Sequence, residues 1–89
     1  MSEVGRRYVY VIEAVDAPDT LVRVLTLFAV QPLPLASVTM ARGDAGCIIR
    51  IEADGLDVLR AETLLRRLDG LPAVRSVGRG WRDPMRVAA

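Results

Sequence analysis

The residues best suited to bind a ligand form a short corner between a predicted strand and a predicted helix: Asp16, Ala17, Pro18, Asp19, Thr20 and Leu21. Backbone N–H groups at the start of a helix attract anions, such as the carboxylate of a small metabolite. Pro18 suits a first helical turn because its missing N–H would have no partner there. Asp16 or Asp19 can instead cap those amides, and the Asp19 carboxylate would repel an anion. Both interpretations, ligand site and capped turn, therefore stand.

Residue types that carry out catalysis or hold metals are scarce in this sequence. It contains no His and no Lys, which removes the commonest bases, metal ligands and Schiff-base nucleophiles. Ser37 and Ser76 have no base to activate them. Cys47, the single cysteine, falls on the inward side of a predicted strand, where cysteine behaves as a small apolar residue. We therefore predict a protein without catalytic residues, cofactor or metal site.

The size and charge of the chain indicate one small domain. It has 89 residues, 52% of them hydrophobic, and twelve Arg balance eleven carboxylates to a net charge of +1. Such a mixed surface does not favour nucleic acid as a partner. No apolar run approaches the ~20 residues of a membrane span, and Met1-Ser2-Glu3 does not open a secretory leader, so we expect a cytoplasmic protein. A domain this small gains stability by association.

Hydrophobic periodicity and turn residues predict four strands and two helices. The predicted order is a strand at Tyr8–Val15, a helix from Pro18 to before Gln31, strands at Leu35–Ala41 and Cys47–Ala53 with a hairpin connection at Arg42–Gly46, a helix that Asp54 or Asp57 caps and that ends at Asp69, and a strand at Ala73–Gly78. The first helix carries an apolar stripe of Leu21, Val24, Leu25 and Phe28, and the second one of Val58, Ala61, Leu65 and Leu68. Leu59 and Leu64 then lie toward the edge of the second helix, and Gly70 ends it in a left-handed conformation.

This order of elements is typical of the α+β ferredoxin-like fold, a βαββαβ chain with a four-stranded sheet in the order 4-1-3-2 and both helices on one face. We expect the first strand to pair with the third in parallel. The domain is predicted to span residues 7–79, between a flexible N-terminus at 1–6 and a tail at 80–89.

Three surfaces of the predicted fold are candidates for partner binding: the open face of the sheet, the Leu59 and Leu64 edge of the second helix, and Trp81. The first strand is apolar on both sides, so the sheet face without helices needs cover from a partner or from the tail. Trp81, flanked by Arg79 and Arg82, is either a peg for another subunit or a side chain folded over its own sheet. RNA binding through stacked Tyr8 and Tyr10 is a further hypothesis, but it is weakened because the third strand has no aromatic residue. The pattern favours the alternative, in which the helices cover both tyrosines.

Three segments carry a resemblance to a known family: VIEAVDAPDTLVRVLTLF at 11–28, ASVTMA at 36–41 and RRLDGLPAVRSV at 66–77. In order and spacing they resemble the ACT domain, a small regulatory module of amino-acid metabolism, and more narrowly the small subunit of acetolactate synthase. The resemblance implies side-by-side homodimers joined through a sheet edge. It also implies an amino-acid effector at the interface and a larger, thiamine-diphosphate-dependent catalytic subunit as partner. The alternative is a free-standing homodimer that senses an amino acid.

The ligand residues of that family are matched only in part. The family site combines the corner with the opening of the second strand, which here is Pro34 and Leu35. Asp19 stands where the family has a glycine that lets the ligand approach the backbone. Pro34 stands where the family has an asparagine that hydrogen-bonds the ligand. The expected contacts are thus reduced to the backbone of Pro18 to Leu21.

Overall fold

The computed structural model describes residues 7–30 and 34–82. These form β1 (Arg7–Ala14), α1 (Thr20–Val30), β2 (Leu35–Gly43), β3 (Gly46–Asp54), α2 (Val58–Asp69) and β4 (Val74–Arg82). The predicted N-terminus at 1–6 and the part of the predicted 80–89 tail that follows Arg82 lie outside the described residues. No helix in the described part of the chain is long and apolar enough to span a membrane.

The sheet has the order β2-β3-β1-β4, as predicted. The predicted parallel pairing of β1 with β3 is wrong: every neighbouring pair is antiparallel, and Tyr10 lies opposite Ile51 and Arg79. The reason is that α1 carries the chain back so that β2 runs parallel to β1, while the hairpin then inserts β3 between them in the opposite direction. Both helices cover one face of this sheet.

The core lies between that face and the helices. Its strand residues alternate as predicted, and the largest fully buried side chains are Tyr8, Tyr10, Phe28, Ile12, Ile49 and Ile51. Cys47 is buried among them, as the sequence indicated. Because Tyr8 and Tyr10 are covered by the helices, they cannot stack on the bases of an RNA, and that hypothesis loses its main support.

The second helix is rotated relative to the prediction. Ala61, Leu64 and Leu68 are its buried residues, whereas Val58 is 55% exposed. Leu64 is therefore not available for a partner. Leu56, buried just ahead of the helix, takes the core position that the pattern assigned to Val58. Of the two predicted candidates, Asp57 caps the helix. The prediction of a left-handed Gly70 is wrong: this residue is right-handed, and in that conformation its N–H donates to the Arg66 and Arg67 carbonyls.

Two further boundaries differ from the prediction. The first helix begins at Thr20, so Pro18 lies in the turn before it. The last strand continues past its predicted end at Gly78, and past Gly80, through Trp81 to Arg82. An edge strand tolerates these glycines, and a Cβ at either position would meet no other atom within 4 Å.

The open face of the sheet is less apolar than β1 alone suggested. It carries Val9, Val11 and Ile48, but β1 and β3 also place charged residues there that form ion pairs. Arg7 makes two hydrogen bonds to Asp54, at 2.8 and 3.0 Å, and Arg50 pairs with Glu52 at 3.1 Å. These ion pairs make part of the open face polar. Less apolar surface therefore remains for the partner that the sequence predicted.

Candidate functional site

The corner between β1 and α1 is closed by the side chain of Thr20. This residue is 1% exposed, and its hydroxyl donates to the Val15 carbonyl at 2.8 Å while accepting from the Ala17 N–H at 3.3 Å. The Ala17 N–H also reaches the Val15 carbonyl, and the Thr20 N–H donates to the Ala17 carbonyl. Two of the amides expected to hold an anion are thus used within the corner.

The two aspartates of the corner are occupied as well. Asp19 accepts a 2.7 Å hydrogen bond from Arg23 one turn along α1. That bond, together with one from its own backbone amide, lowers the pKa of Asp19. Asp16 pairs with Arg42 of β2 at 3.1 Å. Within one chain the polar groups of the corner thus pair with each other or with arginines, which agrees with the capped-turn interpretation, and the ligand interpretation stays a prediction.

Pro34 and Leu35 lie at the opposite end of the sheet. The Pro34 carbonyl accepts from the Asp54 N–H at 3.0 Å, and Leu35 is opposite Ala53, which pairs with Tyr8 near the start of β1. Because a strand rises about 3.3 Å per residue, the length of β1 puts roughly 20 Å between them and the corner. Within one chain the structure brings Asp16 to Leu21 together and leaves Pro34 and Leu35 apart from them.

Arg42 and Arg75 are the charged residues near the corner that the pattern did not identify. Arg42 was assigned to the hairpin connection, but it belongs to β2 and holds Asp16. Arg75 crosses from β4 to the β2–β3 turn, where its Nη1 donates to the Ala45 carbonyl. The sequence carries no signal for this contact, since it joins residues 30 positions apart.

The sequence matches the ACT-like domain over residues 2–82. The chain belongs to the ACT-like domain family. This confirms the broad resemblance, and ACT domains are in general regulatory and not catalytic. No curated protein matches the sequence significantly.

Two solved structures share the ACT-like fold of the chain. The solution structure of the C-terminal domain of the MgtC protein from Mycobacterium tuberculosis superimposes with a TM-score of 0.73 at 16% identity, covering 99% of both chains. The crystal structure of the ACT domain from the GTP pyrophosphokinase of Chlorobium tepidum gives a TM-score of 0.72 at 10% identity, covering 88% of this chain and 100% of that one. At these identities the likeness concerns the fold alone.

Proposed function

We propose that this ACT-like chain is a non-catalytic regulatory subunit that dimerises through β2 and modulates a larger catalytic subunit. The observation that carries the proposal is the edge of β2. This strand pairs with β3 on one side only, and most of its residues are exposed. Its second side offers backbone N–H and C=O groups for another strand.

The β2 edge also has an apolar margin. Leu35 and Val38, on the helix side of the strand, are each 39% exposed. The strand contains one charged residue, Arg42, and no proline. Lysines, prolines and inward charges are what protect an edge from pairing, so β2 is poorly protected. Burial of Leu35 and Val38 against a second copy would stabilise the dimer.

A two-fold axis at β2 would also complete the family's ligand site. In an antiparallel β2 pair centred near Thr39, Leu35 of the partner subunit would lie opposite Gly43, next to Arg42 and therefore next to Asp16. The two halves of the site, which one chain holds at opposite ends of its sheet, would then meet across the interface. This geometry supports a homodimer as the working form.

The catalytic partner is proposed from the resemblance to the acetolactate synthase small subunit. It would be the thiamine-diphosphate-dependent subunit of a synthase of that type, in the cytoplasm. We assign its contact to Val58, Leu59 and Trp81, which are 55%, 74% and 53% exposed. Glu62 of α2 pairs with Arg79 of β4, which places the helical turn of Val58 and Leu59 beside Trp81.

The dimer is tested by light scattering on the purified chain. Val38→Lys places a charge at the proposed seam and should give a monomer where the unaltered chain gives a dimer. Leu59→Lys is the matched control, since it adds the same charge at an exposed apolar position away from β2. A monomeric unaltered chain at high concentration, or a Val38→Lys dimer of undiminished stability, would refute the β2 interface.

The partner contact is tested by activation of an acetolactate synthase catalytic subunit. Leu59→Lys and Trp81→Ala should weaken activation while the dimer persists. Full activation by both variants would remove the assigned contact, and no activation by the unaltered chain would remove this partner. A free-standing amino-acid sensor is the second candidate. It is favoured by a cleft of about 280 Å³ at the end of the sheet, a size that suits a small amino acid.

A further inference from the structure

A cleft of about 280 Å³ lies at the end of the sheet where β1 ends and the β2–β3 hairpin turns. Its walls are mainly small residues, among them Ala14, Ala41, Gly43 and Ala45, and Ile48 adds a larger apolar side chain. Arg42, Arg75 and Glu13 supply its charges. The cleft is formed within one chain and does not include any residue of the Asp16–Leu21 corner.

A β-bulge directs Arg75 into this region. Glu13 is paired with Ser76 and Ala14 with Val74, so Arg75 is the extra residue between two ladder positions. Bulges redirect side chains in this way. Arg75 spans the end of β1 and donates to the Ala45 carbonyl. Gly46 makes room for this arrangement, since a Cβ there would lie 2.5 Å from the Ala14 carbonyl oxygen and 3.3 Å from Arg75 Nη1.

The other two charged groups are also held in place. Arg42 lies opposite Cys47, so its side chain is on the helix side of the sheet, where its Nε pairs with Asp16. Glu13 accepts a hydrogen bond from the Ser76 hydroxyl at 2.9 Å. The cleft thus combines the guanidinium group of Arg75, whose forked geometry matches a carboxylate, with the carboxylate of Glu13 and an apolar wall.

We propose that this cleft binds a short aliphatic carboxylate, with Arg75 on the carboxylate and Ile48 and Ala41 against its hydrocarbon part. Glu13 is placed to accept from the ammonium group if the ligand is an amino acid. The volume lies just below the range of about 300 to 1,000 Å³ for sites of drug-sized molecules, so it suits a smaller ligand. The ligand's regulatory role rests on the proposed function, but its binding requires no dimer.

The probes are valine, the 2-oxo acid of valine and isobutylamine, which share one hydrocarbon body and differ in their head groups. Each is titrated into the isotope-labelled chain and followed by amide chemical shifts. Valine or its 2-oxo acid should shift the amides of Ala41, Gly43 and Ile48, whereas isobutylamine should not. No response to either carboxylate, or an equal response to isobutylamine, would overturn the proposal.

Substitutions then locate the ligand. Arg75→Gln should weaken carboxylate binding about tenfold or more, as expected for a lost charge-assisted bond. Arg67→Gln, on the exposed end of α2, should leave binding unchanged. Ala41→Met fills the cleft without altering charge and should abolish binding, which keeps the test decisive if Arg75→Gln is unstable. Undiminished binding in Ala41→Met, or shifts confined to the Asp16–Leu21 corner, would refute this site.

Glu13→Gln distinguishes an amino acid from an oxo acid or an unsubstituted acid as the ligand. It should weaken valine and spare the 2-oxo acid if the site reads an ammonium group, and it should spare both if an oxo acid or unsubstituted acid is the ligand. Light scattering on the same samples keeps the two proposals apart. A dimer that binds no carboxylate refutes the cleft alone, and a monomer that binds one refutes the β2 interface alone.

Discussion

The hydroxyl of Tyr10 on β1 donates a 2.9 Å hydrogen bond to the carbonyl oxygen of Ala61 on α2, and both residues are 0% exposed. The ring of Tyr10 also meets Phe28 of α1 edge to face, with centroids 5.6 Å apart. One side chain of the central strand thus contacts both helices. This arrangement fixes both helices over one face of the sheet and leaves the other face open.

Tyr10→Phe should lower the free energy of unfolding by about 0.5–1.5 kcal/mol, the net contribution of a typical hydrogen bond. The loss stays in this range because the Ala61 carbonyl still accepts a bond within α2. Urea denaturation of both proteins measures it. Tyr10→Leu, which also removes the contact with Phe28, should cost more. Equal stability of Tyr10→Phe and the unaltered chain would mean that the hydroxyl is not bonded in solution.

Alkaline pH should destabilise the chain through the same residue. Burial raises the pKa of Tyr10 above its ordinary value of 10.0, and the charge of Arg79 offsets this only in part. Above about pH 10 the unfolded chain loses this proton while the folded chain keeps it. Stability is therefore intact below that pH and declines as the pH rises toward the folded pKa. Urea midpoints at about pH 9, 10 and 11 should fall less steeply for Tyr10→Phe, and parallel slopes would contradict the shift.

Local sequence patterns were sufficient for the elements, the sheet order and the inward faces of β1 and β3. Tyr8, Tyr10 and Cys47 were assigned to the core because strict alternation leaves a strand residue two choices of side. A helix has no such restriction. Leu64 and Leu65 fit the stripe of α2 equally well by spacing, and the position of Leu56 ahead of the helix decided which one is buried.

Features that depend on distant pairs were not predictable from one sequence. The direction of β3 relative to β1 follows from how α1 returns the chain. The contact of Arg75 with Ala45 depends on a bulge at one residue of an edge strand. The corner was predictable in part. Its residues and the competition between Asp19 and an anionic ligand followed from the sequence. The hydrogen bonds by which Thr20 closes the corner became visible only in the folded geometry.

Gly46→Ala should be among the more damaging small substitutions in the chain. Gly46 has φ of 146°, and a Cβ there would lie 2.5 Å from the Ala14 carbonyl oxygen. A residue held in such a conformation costs about 1–3 kcal/mol. Gly78→Ala is the control, since its Cβ would meet no atom within 4 Å. Thermal unfolding of the two variants compares them, and equal melting temperatures would show that the hairpin relaxes away from β1.

Asp57→Ala should destabilise α2 from its first turn. The Asp57 side chain accepts from the Arg60 N–H at 2.8 Å, and loss of such a cap costs about 0.5–2 kcal/mol. Asp69→Ala removes a carboxylate from the last turn of the same helix, where negative charge is unfavourable, and should be neutral or slightly stabilising. Urea denaturation distinguishes the two. A loss of equal size in both variants would indicate a general effect of charge and not a cap.

Leu64→Ala and Leu59→Ala form the sharpest test of how α2 is rotated on the sheet. Leu64 is 3% exposed and Leu59 is 74% exposed, although they lie five positions apart on one helix. Removing the buried side chain leaves a cavity and should cost about 2–5 kcal/mol. Removing the exposed one should change stability by no more than about 0.5 kcal/mol. Urea denaturation of the two variants at one protein concentration gives both values, and small losses in both would mean that α2 packs as the sequence pattern first indicated, with both residues toward its edge. A dimer or partner complex that buries Leu59 would appear separately, as a loss in Leu59→Ala that grows with protein concentration or with added partner.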